Sequence, residues 1–192
     1  MLVLVLGLIL FIGIHSVRMV ADNWRTQFIA KNGLKRWKLI HSVFAIVGFV
    51  LIVWGFGLAR QHPVVLYVPP IWLSRLNALF MLIALIFFAA ARVPNNHIKA
   101  KFGHPQTLAV KIWAFGHLLA VGMLHDAVLF LPFLIWSIAL YAVSRRRDRR
   151  EGKVYPPGTI KGDVLIVVIG VVIWALFAYW LHSLLIGVKP MI

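Results

Sequence analysis

The sequence predicts an all-α protein, a polytopic bundle of about six transmembrane helices with both termini outside. Three observations carry this expectation. Of the 192 residues, 62% are hydrophobic and 13% charged, and the mean hydropathy of +0.92 is more than the core of a water-soluble domain of this size needs. The apolar residues gather in runs close to the roughly 20 residues that cross a bilayer. The charged residues gather in short blocks between those runs. Spans and loops together use up the length, so residues 1–192 read as a single integral membrane domain.

The first run, Met1 to about Val20, has no basic residue before Arg18 and no small-residue cleavage pattern after it, so it reads as a retained span and not a secretory signal. Further spans are expected at about Leu39–Leu58, Ile71–Ala91, Thr107–Val121, Ala127–Val143 and Val164–Ile186, the fourth being the shortest. Pro69-Pro70 precedes the third and Gly122 can end the fourth. Asp126 and Asp163 are placed to cap the fifth and sixth, and Pro132 should bend the fifth.

Orientation follows from where the basic residues fall, since cytoplasmic loops carry an excess of Lys and Arg. Arg25, Lys31, Lys35, Arg36 and Lys38 follow the first span; Arg92, Lys99 and Lys101 follow the third; and Arg145, Arg146, Arg147, Arg149, Arg150, Lys153 and Lys161 follow the fifth. The opposite face has Arg60, Arg75 and Lys189, with Arg18 and Lys111 near helix ends. This pattern explains the formal net charge of +15 as topology. Nucleic acid is not an expected partner, because the charges sit in short blocks between apolar runs and the Arg145–Arg150 block lacks interleaved aromatics for base stacking. The Arg145–Arg150 block reads as a positive-inside signal, with anionic lipid as the alternative ligand.

The chain has no cysteine, which removes disulfides, thiolate metal sites, a catalytic Cys and covalent haem attachment. No Rossmann or P-loop glycine pattern and no internal repeat occurs. Paired carboxylates and a Ser-His-Asp set are missing from the spans, since Asp22, Asp126 and Asp163 lie at helix ends.

Histidine is the informative residue type, with 8 against 5 acidic residues. His15 and His117 fall inside the first and fourth spans. At about 1.5 Å per residue they lie roughly 8 and 15 Å from the inner surface, and continuation of the first span to Trp24 would bring them to one level. Neutral imidazole is a common metal ligand, and two imidazoles from different helices can hold a flat macrocycle. Each could instead hydrogen-bond a neighbouring helix carbonyl. Val110, Trp113 and His117 recur at helical spacing on one face, with Gly116 permitting close helix approach; a flat apolar ligand or simple packing fits that wall. His104, before Pro105, reads as a capping or solvated residue or as a contact to an anion at the helix start. His41 near the inner end of the second span is a supporting residue for such a site or an interfacial histidine.

Two stretches carry a resemblance. Gly13-Ile14-His15-Ser16-Val17-Arg18-Met19, and the segment from Asn96-His97-Ile98-Lys99-Ala100-Lys101 through His104-Pro105 to Trp113-Ala114-Phe115-Gly116-His117, resemble the NnrU family of bacterial membrane proteins. The resemblance covers nearly the whole chain and implies a multi-pass protein of the bacterial inner membrane, associated with nitrite and nitric oxide metabolism. Through that family it extends to the plastid 15-cis-zeta-carotene isomerase, a membrane enzyme with non-covalent haem b. Carried over by motif, it implies haem b with His15 and His117 as iron ligands, and the isomerase's His-Pro element looks like His104-Pro105; with Trp113 and His41, candidates from their own positions, His104 completes the expected cofactor-binding residues.

Three functions follow as expectations. The first is a haem b protein acting in nitrogen-oxide physiology as a redox or gas-responsive component, with membrane lipid and nitric oxide or an apolar small molecule as partners. The second is a haem-dependent isomerase or modifier of a long apolar lipid such as a polyene. The third is a haem-free transporter or assembly factor in which His15 and His117 pack or relay protons.

Overall fold

The computed structural model describes residues 1–190. Its elements are α1 (Leu2–Val20), α2 (Asp22–Asn32), α3 (Leu34–Ala59), α4 (Ile71–Arg92), α5 (His97–Phe102), α6 (Pro105–Ala120), α7 (Leu124–Arg150), α8 (Ile160–Leu176), a π-helical segment at Phe177–Leu181 and α9 (His182–Ile186). Among the described residues there is no strand, and a lone antiparallel bridge joins Val65 to Met123. In lipid every backbone N–H and C=O must be satisfied within the chain, which a helix does locally. Five helical stretches are long and apolar enough to cross a membrane: Leu2–Val20, Leu34–Ala59, Ile71–Arg92, Leu124–Arg150 and Ile160–Ile186. The chain is therefore a polytopic helical membrane protein. The fourth expected span forms a helix of 16 residues, about 24 Å at 1.5 Å per residue against a hydrocarbon core of about 30 Å.

The chain forms two compact units. The first comprises Met1–Leu66 and Met123–Pro132; the second comprises Tyr67–Gly122 and the chain from Phe133 onward. Pro132 lies inside the continuous helix α7, at the point where the chain passes from one unit to the other.

In the first unit α1 packs on α3 through glycines. A Cβ at Gly7 would lie 2.6 Å from the Ile52 nitrogen, one at Gly48 2.7 Å from the Phe11 nitrogen, and one at Gly55 would meet the Leu4 backbone. Apolar burial does not drive helices together in lipid, where the solvent is as apolar as leucine, so close approach and the dispersion contact it brings must do so. Leu4, Leu8 and Ile52 are buried in the seam. Ala21 leaves the helical region at φ −138° and ψ 41°, and Asp22 opens a separate helix. Asp22 is within 3.9 Å of Arg18 and 3.8 Å of Arg25. The first span thus ends at Val20 and does not continue to Trp24. An acidic residue is favoured at the start of a new helix and disfavoured at the end of the old one.

In the second unit α4 is central, packed by both α6 and α8. Ala89, Ala90, Val93 and Ile166 form its core, with Ile86, Ile98 and Ile169 against them. Gly170 lies against Ile86, Gly116 against Phe80 and Asn77, and Trp174 Nε1 donates to the Ala78 carbonyl at 2.9 Å. Asn96, fully buried, organises the turn after α4. Its Oδ1 accepts from Lys99 N at 2.7 Å, and its Nδ2 donates to the carbonyls of Val93 at 2.7 Å and Ala90 at 3.0 Å.

Two expected caps differ. The N-cap of α8 is Thr159, whose side chain accepts from Gly162 N at 3.1 Å, whereas Asp163 is turned outward to α5. Asp126 lies within the first turn of α7, 3.6 Å from His125. Helix α7 also runs seven residues past the expected end at Val143, through the arginines to Arg150.

The glycine seam makes a stability prediction. Gly48→Leu should lower the melting temperature in detergent, at a cost of about 1–3 kcal/mol or more, because the added atoms meet backbone that cannot give way. Gly57→Leu, where a Cβ meets nothing within 4 Å, should be close to neutral.

Candidate functional site

Two classes of histidine stand out. In the first, His15 in α1 and His117 in α6 bond back to their own helix. His15 Nδ1 lies 2.6 Å from the Phe11 carbonyl and His117 Nδ1 lies 2.9 Å from the Trp113 carbonyl, each four residues earlier. A carbonyl only accepts, so in both rings Nδ1 is the donor and the lone pair resides on Nε2. That is the tautomer of an imidazole that ligates a metal through Nε2 while its other nitrogen is held by a carbonyl.

The surroundings of each are aromatic. In the first unit the His15 ring stacks at 4.3 Å on Phe11 and meets His41 edge-on at 4.9 Å. His41 in turn lies 6.1 Å from Trp37, so the structure brings His41 to His15 and does not leave it as an isolated interfacial residue. An open apolar groove of about 360 Å³ runs beside them, lined by Ile14, Val17, Trp24, Trp37 and Phe44 among others. In the second unit His117 lies 5.5 Å from Trp113, which meets Phe133 in a T-shaped contact at 5.5 Å. One residue before His117, Gly116 accommodates Asn77 of α4. Asn77 Oδ1 is buried and has no hydrogen-bond partner among the described residues, a polar atom aimed into an apolar wall.

The second class lies at helix ends and pairs with aspartate. His104, the N-cap of α6, makes no capping hydrogen bond with its side chain. Its Nε2 lies 2.8 Å from Asp148 Oδ2, and Tyr155 donates its hydroxyl to the same oxygen at 2.6 Å. Arg145 and Lys153 stand at 3.5 and 3.9 Å from the carboxylate. His104 is therefore neither a simple cap nor a solvated residue. His97 makes the matching contact at the other end of α5, with Nδ1 2.6 Å and N 2.9 Å from Asp163. The six-residue α5 is thus held at both ends by a His–Asp pair.

Sequence reading missed Asp148, Tyr155 and the role of Asp163. The available signal was periodicity: Ser137, Tyr141, Ser144 and Asp148 recur at four, three and four residues, one face of α7 continuing into the arginine run. Ser137, Ser144 and Asp148 are buried, and Tyr141 donates to the Phe102 carbonyl at 3.2 Å.

Burial holds His104 below its ordinary 6.5, outweighing the Asp148 carboxylate that pulls the other way. Burial, and next the hydrogen bond to Asp148, push Tyr155 up to about 12, so it stays a donor across the physiological range. Among the described residues no group of three or more His, Asp or Glu could hold a bare metal ion.

Fold and site together define a multi-pass helical membrane protein in which two helix-borne histidines bond back to their own backbone carbonyls. The family model for the NnrU protein matches residues 3–190, and the chain belongs to the NnrU family. Comparisons with curated proteins and with solved structures find no match.

The His104 pair makes a pH prediction. Between 6.5 and the lower folded-state value the unfolded chain binds a proton that folded His104 refuses. Its contribution to stability is therefore present at neutral pH and falls as pH drops below 6.5. Melting in detergent from pH 8 to 5 should show this decline, and His104→Gln should flatten it while costing about 1–3 kcal/mol at pH 8 through the under-partnered Asp148.

Proposed function

We propose that this is a haem b protein of the bacterial inner membrane, in which His15 and His117 are the residues that would hold the haem, acting in nitric oxide and nitrogen-oxide metabolism as a redox or gas-responsive component. The observation that carries the reading is the shared tautomer. Two histidines within helices of a cysteine-free membrane chain each donate Nδ1–H to the carbonyl four residues back and present Nε2 as a base. The donor chemistry fits a b-type haem, which has no thioether link and depends on axial nitrogen and apolar contact. When bound, the haem supplies a one-electron redox centre and an iron that takes gaseous ligands.

The protein's own part is orientation and exclusion of water. Phe11 and Trp113 carbonyls fix the two ring tautomers, the helix backbone sets each ring's direction, and the aromatic neighbours keep the surroundings dry. His41, edge-on to His15, and Trp113, against His117, are the supporting residues. His104 supports the site at one remove, by anchoring the start of the helix that carries His117. A second reading, modification of a long apolar lipid, draws on the open apolar groove beside α1 and α3, whose Trp24, Trp37 and Phe44 suit an acyl or polyene chain. The basic loops support six spans with both termini outside, which requires the 16-residue α6 to cross.

His15→Ala and His117→Ala should each reduce the haem content of inserted, purified protein by about tenfold or more, while His62→Ala leaves it near wild type. Haem content and spectrum that survive the double substitution would sink the assignment. For topology, compartment reporters at the N- and C-termini should both read outside. Opposite compartments would mean that α6 does not cross.

A further inference from the structure

The basic end of α7 is more ordered than an orientation signal requires. A positive-inside signal needs charge in a loop and no fixed geometry, yet here the helix continues without a break from its apolar span to Arg150. One face of this extension is packed away. Ser144 and Asp148 are buried, and Asp148 is clasped by His104, Tyr155, Arg145 and Lys153. Gly103, with φ +76°, lets the corner before α6 close over this contact, since a Cβ there would lie 2.7 Å from the Arg145 guanidinium and 2.8 Å from the Tyr155 ring. The opposite face presents Arg146, Arg149 and Arg150, all exposed and spaced at three and four residues. Among the described residues these three arginines make no ion pair. The aspartate within the run is turned inward and spent on the clasp, and Glu151 adds a single carboxylate at the rim.

Depth points to the ligand. Beyond Val143, the last residue of the apolar run, Arg146 and Arg149 are displaced by about 4.5 and 9 Å along the helix. The polar layer on each side of the hydrocarbon core is about 5–8 Å thick. Arg146 thus starts within the headgroup layer and Arg149 and Arg150 just beyond it, where a long side chain can reach back to it, and each guanidinium is a planar fork that matches a phosphate with two parallel hydrogen bonds. We propose that the Arg146–Arg149–Arg150 face of α7 is a binding surface for the phosphate groups of anionic phospholipids, and that the Asp148–Tyr155–His104 clasp positions it by fixing the helix end. Asp148 and Tyr155 are positioning residues that act through α7, and the arginines make the contact.

The test uses the purified full-length protein in neutral detergent, with melting temperature followed during titration with phosphatidylglycerol, phosphatidylcholine or inorganic phosphate. Phosphatidylglycerol should raise the melting temperature by several degrees, with an effect that shrinks as salt rises, and the other two should not. Replacing Arg146, Arg149 and Arg150 together by Ala should weaken the apparent affinity by about 100-fold, at roughly fivefold per basic residue. Replacement by Lys keeps the charge and should restore less than half of the response, because the fork is gone. Tyr155→Phe changes no charge and should weaken phosphatidylglycerol about fivefold by loosening the clasp. A wild-type response from the triple Ala variant would overturn the proposal, as would an equal response from the triple Lys variant or the whole shift from inorganic phosphate alone. Unchanged affinity in Tyr155→Phe would overturn the clasp's role. Tighter binding of RNA than of phosphatidylglycerol would overturn the choice of ligand.

Discussion

A polar atom that enters the hydrocarbon layer is costly unless the chain itself supplies a partner, and apart from atoms such as Asn77 Oδ1 the remaining features of this structure follow from how that need is met. Polar side chains within the first span turn to the nearest acceptor, the carbonyl four residues back. Ser16 donates to Ile12 at 2.7 Å, and His15 and His117 do the same with Nδ1. This local solution costs no interhelical geometry, and for a histidine it has a chemical by-product. The proton is pinned to Nδ1, and the base is left at Nε2, farther from the backbone and toward the neighbouring groups. A constraint imposed by lipid thus prepares the kind of imidazole that iron takes.

Outside the hydrocarbon the same residue type is used differently. His97 and His104 at the two ends of α5 face aspartates of α8 and α7, so that a six-residue helix too short to be stable alone is held by side chains from both. Burial keeps His104 neutral in ordinary conditions, and the Asp148 contact is then a hydrogen bond from a neutral ring, reinforced by Tyr155 and by the cations beside it. The arrangement ties the corner before α6 to the basic end of α7. It is rigid where a topological signal alone would leave a mobile loop.

Much of this was legible in the residues, for reasons that can be located. Spans announce themselves by composition, and Ile71–Ala91 was placed within one residue of the observed Ile71–Arg92. The Val110, Trp113 and His117 spacing implies one helix face, and the Trp113 and His117 rings lie 5.5 Å apart, because helical period fixes which side chains are neighbours. What escaped was non-local. Ala21 breaks the first helix because Asp22 begins the next, and Thr159 outcompetes Asp163 as a cap because Asp163 has a better partner 66 residues away in His97. Asp148 was hidden inside an arginine run, where its charge looked irrelevant until the helix was seen to continue and to turn it inward. The glycine seam of α1 and α3 was equally silent, since Gly7, Gly48 and Gly55 lie on different helices and only packing relates them.

The proposed haem-holding role of His15 and His117 bears most directly on function, and electron paramagnetic resonance of the oxidised protein, purified from cells with ample haem supply, examines it without any substitution. If His15 and His117 hold a haem b, the protein should give a low-spin ferric haem signal of the kind two imidazoles produce, with the haem extractable by acidified acetone because no cysteine links it. A high-spin signal, a signal with one nitrogen ligand, or protein that contains no haem at all would contradict it.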